Sequence, residues 1–183
     1  TRVAIAGHSY GGFTALSLVG GTTPDERVRA VAGLQSFTRS IPNRVLERIE
    51  VPTLLVTGSK DVTTPPVTDA DRAWATLGSR SAWRVDIERA GHQGCSDVGL
   101  YLELAPQVPE LPDVVHEYVN SMAADITGTA GDPWRDTVAL HVRALGAFLD
   151  GALGIDTETA GRELDALSRL GGVQVAHRGT FAH

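Results

Sequence analysis

Three polar residues stand where chemistry could be done, each just beyond an apolar run. Ser9 lies in Gly7-His8-Ser9-Tyr10-Gly11-Gly12, directly after the run that opens the chain. Asp61 closes Val51-Pro52-Thr53-Leu54-Leu55-Val56-Thr57-Gly58-Ser59-Lys60-Asp61, and His92 closes Val85-Asp86-Ile87-Glu88-Arg89-Ala90-Gly91-His92. A serine alkoxide is inaccessible at neutral pH. A serine nucleophile therefore needs a neutral imidazole to take its proton, and a carboxylate to fix that imidazole's tautomer and steady the imidazolium. Serine, acid, histidine is also the chain order expected with a G-x-S-x-G elbow, which Gly7, Ser9 and Gly11 spell in full.

The same glycines invite a rival reading as a dinucleotide fingerprint, G-x-G-x-x-G, with Ser9 where the second glycine belongs. That glycine lets the backbone approach a pyrophosphate, and a serine side chain fills the space. The acid that should bind the ribose is due at the end of the second strand, about 20 residues on. Asp25 and Glu26 have that separation but precede the strand, whose far end carries Gln35 and Ser36. The elbow reading is preferred. It places Ser9 on a strained turn, asks for small residues two before and two after it, and puts its hydroxyl at a helix N-terminus, where the Tyr10 amide is a candidate oxyanion donor.

Apolar runs alternate with helical periodicity and Gly/Pro punctuation, a βαβα pattern that predicts an α/β fold with a mostly parallel sheet and flanking helices. Strands are expected at about 2–6, 28–34, 52–58 and 83–88. The first helix, from about Tyr10, is apolar nearly all round, as for a buried helix, and stops at Gly20-Gly21. Ala70, Trp74 and Leu77 mark another, ending near Gly78. Pro106, Pro109 and Pro112 then interrupt the chain, and residues 101–133 read as a helical excursion. In it Val114, Tyr118, Met122 and Ile126 recur every four residues. A long helix follows Pro133 with a Val138, Val142, Leu145, Leu149 stripe, then a short helix at 157–170 and a strand at 173–176. The domain portion is placed at 1–153, with 154–183 a tail packed on the same domain. With the acid and histidine at the carboxyl ends of the third and fourth strands, all three polar residues share one edge of the sheet, where open α/β folds build their sites.

Composition narrows the partners. The 183 residues are 42% hydrophobic with a net charge of −6, and Lys60 is the only lysine, so nothing in the chain suits a nucleic acid. No apolar run reaches membrane-spanning length. The lone Cys95 forms no intrachain disulfide; His-x-x-Cys with His92 lacks a second ligand pair, so no metal and no cofactor is expected. His8 reads as a packed neighbour of the nucleophile, and His116, His141, His177 and His183 as surface or packing residues. Asp97 is a substitute acid, more at home capping a helix. Gln35 and Phe37, past the second strand, are candidate pocket-lining residues. Oligomeric state and location stay open.

In combination, Gly-His-Ser-Tyr-Gly-Gly, the Thr-Gly-Ser-Lys-Asp turn and Ala-Gly-His resemble the nucleophile, acid and histidine motifs of the α/β-hydrolase superfamily over about residues 1–100. The elbow and the Gly-His-Gln-x-x-x-Asp segment at 91–97 are similar to the dienelactone hydrolase-like esterases, a branch that includes platelet-activating-factor acetylhydrolases and polyester hydrolases. In the acetylhydrolases the acid follows the strand after the nucleophile. Here that stretch is Ala32-Gly33-Leu34-Gln35-Ser36-Phe37, with no carboxylate, so Asp61 must serve, as in the polyester hydrolases. The resemblance implies a serine esterase acting on a small or lipid-like carboxylic ester without a cofactor. Non-catalytic members and cofactor-free perhydrolases remain rivals. It also implies that the chain is the C-terminal part of the fold, since the elbow strand is the fifth of eight in that superfamily. The first strand should then have an unpaired apolar edge, and these residues alone should be weakly stable and nearly inactive.

Overall fold

The computed structural model describes residues 2–108, 110–127 and 134–181. A five-stranded sheet in the order β1-β2-β3-β4-β5 forms its centre. It comprises β1 (Val3–His8), β2 (Val28–Leu34), β3 (Thr53–Gly58), β4 (Ala82–Ile87) and β5 (Val173–Arg178). The first four are parallel, and β5 runs antiparallel to β4. The α/β reading holds. Strand ends fall within two residues of expectation, and the antiparallel return was not foreseen.

Residues of β2, β3 and β4 alternate between two cores, because successive side chains of a strand point to opposite faces. On one face Ala30, Ala32, Leu54, Val56, Trp83, Val85 and Ile87 pack on α7 (Trp134–Ala152) and α8 (Thr157–Leu167). On the other, Val31, Leu55 and Ala82 meet α1 (Tyr10–Val19), the short α2 (Asn43–Leu46) and α3 (Ala70–Thr76). Phe181 of the tail stacks on Trp83 with ring centroids 3.9 Å apart, inside the first core. β1 pairs only with β2 among the described residues, and Val3 is exposed on it.

Three helical expectations fail. The first helix is not buried all round: α1 buries Gly12, Ala15, Leu16 and Val19 but exposes Tyr10 and Leu18. The helix expected to reach Ile126 divides into α5 (Asp113–Ser121) and α6 (Ala124–Thr127), and Val114 and Tyr118 of its stripe are exposed. On α7 the buried face is Thr137, His141, Ala144, Phe148 and Gly151, one residue ahead of the expected stripe, and Val142 is exposed. The inward face is chosen for close approach. Gly151 lies where any Cβ would come 2.3 Å from the Phe181 ring, and the polar Thr137 and His141 find partners inside. A further helix, α4 (Val98–Leu104), opens the excursion.

Register explains how the sheet positions a site. His8 is level with Leu34, Leu34 with Val56, and Gly58 with Ile87. Ser9, Gln35, the 59–61 turn and the 88–92 loop therefore leave the sheet along one carboxyl edge.

Candidate active site

Ser9 has φ 55 and ψ −118, a backbone state that L-residues rarely adopt. It is held there from three directions. Its N–H donates to the Leu34 carbonyl at 3.0 Å, and its carbonyl accepts from Phe13 and Phe37, each at 3.1 Å. The turn brings Gly7 against its own continuation: a Cβ on Gly7 would lie 2.2 Å from the carbonyl carbon and oxygen of Gly11. The demand for small residues is one-sided, however, since a Cβ on Gly11 meets nothing within 4 Å. Gly7→Ala should accordingly destabilise the fold by about 3 kcal/mol or more, while Gly11→Ala stays within about 1 kcal/mol. Urea unfolding of the two variants checks this; equal midpoints would contradict it.

Although Ser9 occupies the N-cap of α1, its side chain does not cap the helix. Its Oγ lies instead 2.8 Å from His92 Nε2. The first N–H groups of α1, beginning with Tyr10, have no intrahelical acceptor and carry the positive end of the helix dipole.

On the other side of the ring, His92 Nδ1 is 3.0 Å from Asp61 Oδ2. The second carboxylate oxygen, Oδ1, accepts the backbone N–H of Thr63 at 2.9 Å and of Thr64 at 2.7 Å, so the acid's own turn orients it. The Thr64 hydroxyl stands 2.5 Å from Oδ2, 2.9 Å from the Gln35 carbonyl and 3.2 Å from His92 Nδ1. Burial alone would raise the Asp61 carboxyl; hydrogen bonds from His92 and Thr64 outweigh it and hold Asp61 below the usual carboxylate range. Asp61 and His92 are both buried. The three residues thus meet in one hydrogen-bonded chain, Ser9 to His92 to Asp61.

The loop bearing His92 is fixed from every side. Ala90 accepts from the Lys60 N–H at 3.0 Å, tying it to the acid's turn. Gly91 N–H donates to Ile126 at 2.7 Å and Gln93 N–H to Asp125 at 2.6 Å, so the 101–127 excursion holds this loop through its backbone. A Cβ on Gly91 would fall 2.4 Å from the Asp125 carbonyl oxygen, which explains the glycine before the histidine. His8 donates from Nε2 to the His92 carbonyl at 2.7 Å, its ring 4.7 Å from that of His92. Burial, the largest influence, keeps the His8 imidazole below its ordinary pKa.

Of the two expected pocket residues, Phe37 is half-buried and stacks on Tyr10, with centroids 5.4 Å apart and planes 9° from parallel. The Arg39 guanidinium lies over the Phe37 ring at 4.9 Å and pairs with the buried Asp69 at 2.6 Å. Asp69 also accepts from the Thr38 and Arg39 amides, which pins the loop after β2. Gln35 is different: it is 1% exposed, with its amide directed at His141 and at the Gly91 carbonyl. Asp97 takes the N-cap position of α4 without a side-chain cap bond. Cys95 is half-buried, and burial pushes its thiol up to about 12. His116 is half-buried and His177 exposed, and His183 lies outside the described residues. Among the described residues no cluster of three His, Cys, Asp or Glu side chains could hold a metal, and no helix is long and apolar enough to cross a membrane.

His141, expected as a surface or packing residue, is 2% exposed and donates from Nδ1 to the Thr137 carbonyl at 2.6 Å. Burial, the largest influence, outweighs the opposing hydrogen bond to Thr137 and, with a further lowering from His8, depresses its pKa to about 4. A histidine held neutral in the folded state contributes stability that is full above its unfolded pKa near 6.5 and lost as pH falls towards 4. Stability should drop by about 3 kcal/mol across that window, and His141→Gln should flatten the drop. Urea midpoints measured from pH 7 to pH 4 test this; an identical fall in the variant would contradict it.

No family model and no curated protein matches the chain. Solved structures do match. One is a ferulic acid esterase from Streptomyces cinnamoneus at 2.4 Å resolution, similar with a TM-score of 0.56 and 23% identity. The match covers 81% of this chain and 39% of the esterase chain. The likeness is one of fold. This chain spans about two fifths of the length of that enzyme.

Proposed function

We propose that the protein is a serine hydrolase of carboxylic esters. The observation that carries the reading is the chain from the strained Ser9 hydroxyl through His92 to Asp61, at 2.8 and 3.0 Å. Ser9 Oγ attacks the ester carbonyl as His92 Nε2 takes its proton. The tetrahedral oxyanion receives the Tyr10 N–H at the head of α1, and Asp61 steadies the imidazolium through Nδ1–H. The proton then passes from His92 to the leaving alkoxide, which departs as the alcohol. Water, deprotonated by His92 in turn, cleaves the acyl-enzyme to the acid and free Ser9. The exposed Tyr10 ring, backed by Phe37 and next in sequence to the nucleophile, offers apolar surface for an acyl group.

The fold it shares with a ferulic acid esterase supports an ester substrate, and the elbow and the 91–97 segment support the dienelactone hydrolase-like branch. The test is a panel of p-nitrophenyl esters with acetyl, butyryl, octanoyl and hydroxycinnamoyl groups, assayed on the full-length protein. Release of p-nitrophenolate from at least one ester, above that with heat-denatured protein, is expected. A folded protein that turns over none of them contradicts the reading.

A further inference from the structure

Gln35 is the residue at which both halves of the site meet. It follows β2 with φ 39, a left-handed state that a residue with a side chain holds only when its surroundings require it. Its carbonyl lies 2.9 Å from the Thr64 hydroxyl, whose single proton it shares with Asp61 Oδ2 at 2.5 Å, and the same hydroxyl stands 3.2 Å from His92 Nδ1. Its Nε2 donates to the carbonyl of Gly91, the residue before His92, at 3.4 Å, and to His141 Nε2 at 2.7 Å. The direction of that last bond is fixed by chemistry. His141 Nδ1 carries a proton because it faces the Thr137 carbonyl, so in the neutral ring Nε2 is a lone pair that only a donor can meet. The Gln35 amide must therefore point its nitrogen at His141, and among the described residues its Oε1 has no hydrogen-bond partner. An amide turned the other way would set two acceptors against each other.

We infer that Gln35 and His141 act as a positioning pair, the imidazole holding the amide so that the Asp61 turn and the His92 loop are locked in one register. This rests on the esterase reading above. Both side chains are buried, Gln35 at 1% and His141 at 2% exposure. Their contribution is to the geometry between Asp61 and His92, and so to the chemical step more than to substrate binding.

The test uses the full-length protein. Gln35→Met keeps the shape of the side chain and removes both donors. It should lower kcat on p-nitrophenyl butyrate about 10- to 100-fold with KM within about twofold, the size of loss expected when reacting groups drift by an ångström or less. His141→Leu, which removes the acceptor, should match it, and combining the two should cost no more than either alone. His141→Gln, whose Oε1 can stand where the imidazole Nε2 stood, should recover to within about fivefold of wild type. A second readout does not depend on turnover: the downfield proton NMR signal of His92 Nδ1–H should broaden in Gln35→Met as its hydrogen bond loosens. Wild-type kcat in both Gln35→Met and His141→Leu, additive losses in the double variant, or an unchanged Nδ1–H signal would overturn the pair. Failure of the esterase reading shows differently, as a wild-type protein without ester turnover whose Nδ1–H signal still responds to Gln35→Met.

Discussion

Ser9→Ala should abolish ester turnover, with kcat falling about 10⁶-fold, to whatever rate substrate positioning and the oxyanion donors sustain alone. The size follows from the arrangement. Ser9 is the only hydroxyl at hydrogen-bond distance from His92 Nε2 among the described contacts, so no neighbouring residue can substitute for it. The fold should survive, because the Ser9 backbone is held by bonds from Leu34, Phe13 and Phe37 that do not involve the side chain. Stability should change by about 1 kcal/mol or less, the value of one hydrogen bond. Stopped assays at high protein concentration and urea unfolding together test this. Loss of activity accompanied by unfolding would point to a structural serine.

The second large effect is at Asp61. In Asp61→Asn the amide has one orientation open to it. The Thr63 and Thr64 N–H groups meet Oδ1, so the side-chain oxygen must stay there and the NH2 must face His92 Nδ1. Two donors cannot share that gap. His92 answers by moving its proton to Nε2, which then presents N–H where it must accept the Ser9 proton. The wrong tautomer should lower kcat about 10⁴-fold while KM changes little, since the acyl site is untouched. Measured kcat and KM decide it, with a loss under about tenfold counting against Asp61 as the orienting acid.

The meeting of Ser9, Asp61 and His92 was legible because each lies within five residues of a strand's carboxyl end, and because the motif prescribes their types and order. Parallel strands in register convert three positions far apart in the chain into neighbours on one edge. What sequence did not reveal were contacts made across the fold by residues without a motif. Gln35 and His141 are 106 residues apart, and nothing local marks either as the other's partner. The signal at His141 was faint: a histidine four residues after Thr137 on a helix face that turns out to be buried. Thr64 was more accessible, since Asp61-Val62-Thr63-Thr64 has the composition of a turn in which a carboxylate accepts the next amides. The excursion misled because Val114 and Tyr118 sit at helical spacing yet face outward, whereas its contribution to the site is made by the backbone of Asp125 and Ile126. Periodicity reports which residues are apolar. It is silent on backbone carbonyls and on the close approaches that glycines such as Gly91 permit.

The most direct measurement is covalent. A fluorophosphonate reacts with a serine that a neighbouring imidazole has activated, and it requires no knowledge of the natural ester. Incubated with the full-length protein and followed by peptide mass spectrometry, it should add about one group per chain, on the peptide containing Gly7-His8-Ser9-Tyr10-Gly11, and it should add none to Ser9→Ala. An adduct mapped to any other residue, or labelling undiminished in Ser9→Ala, would contradict the account.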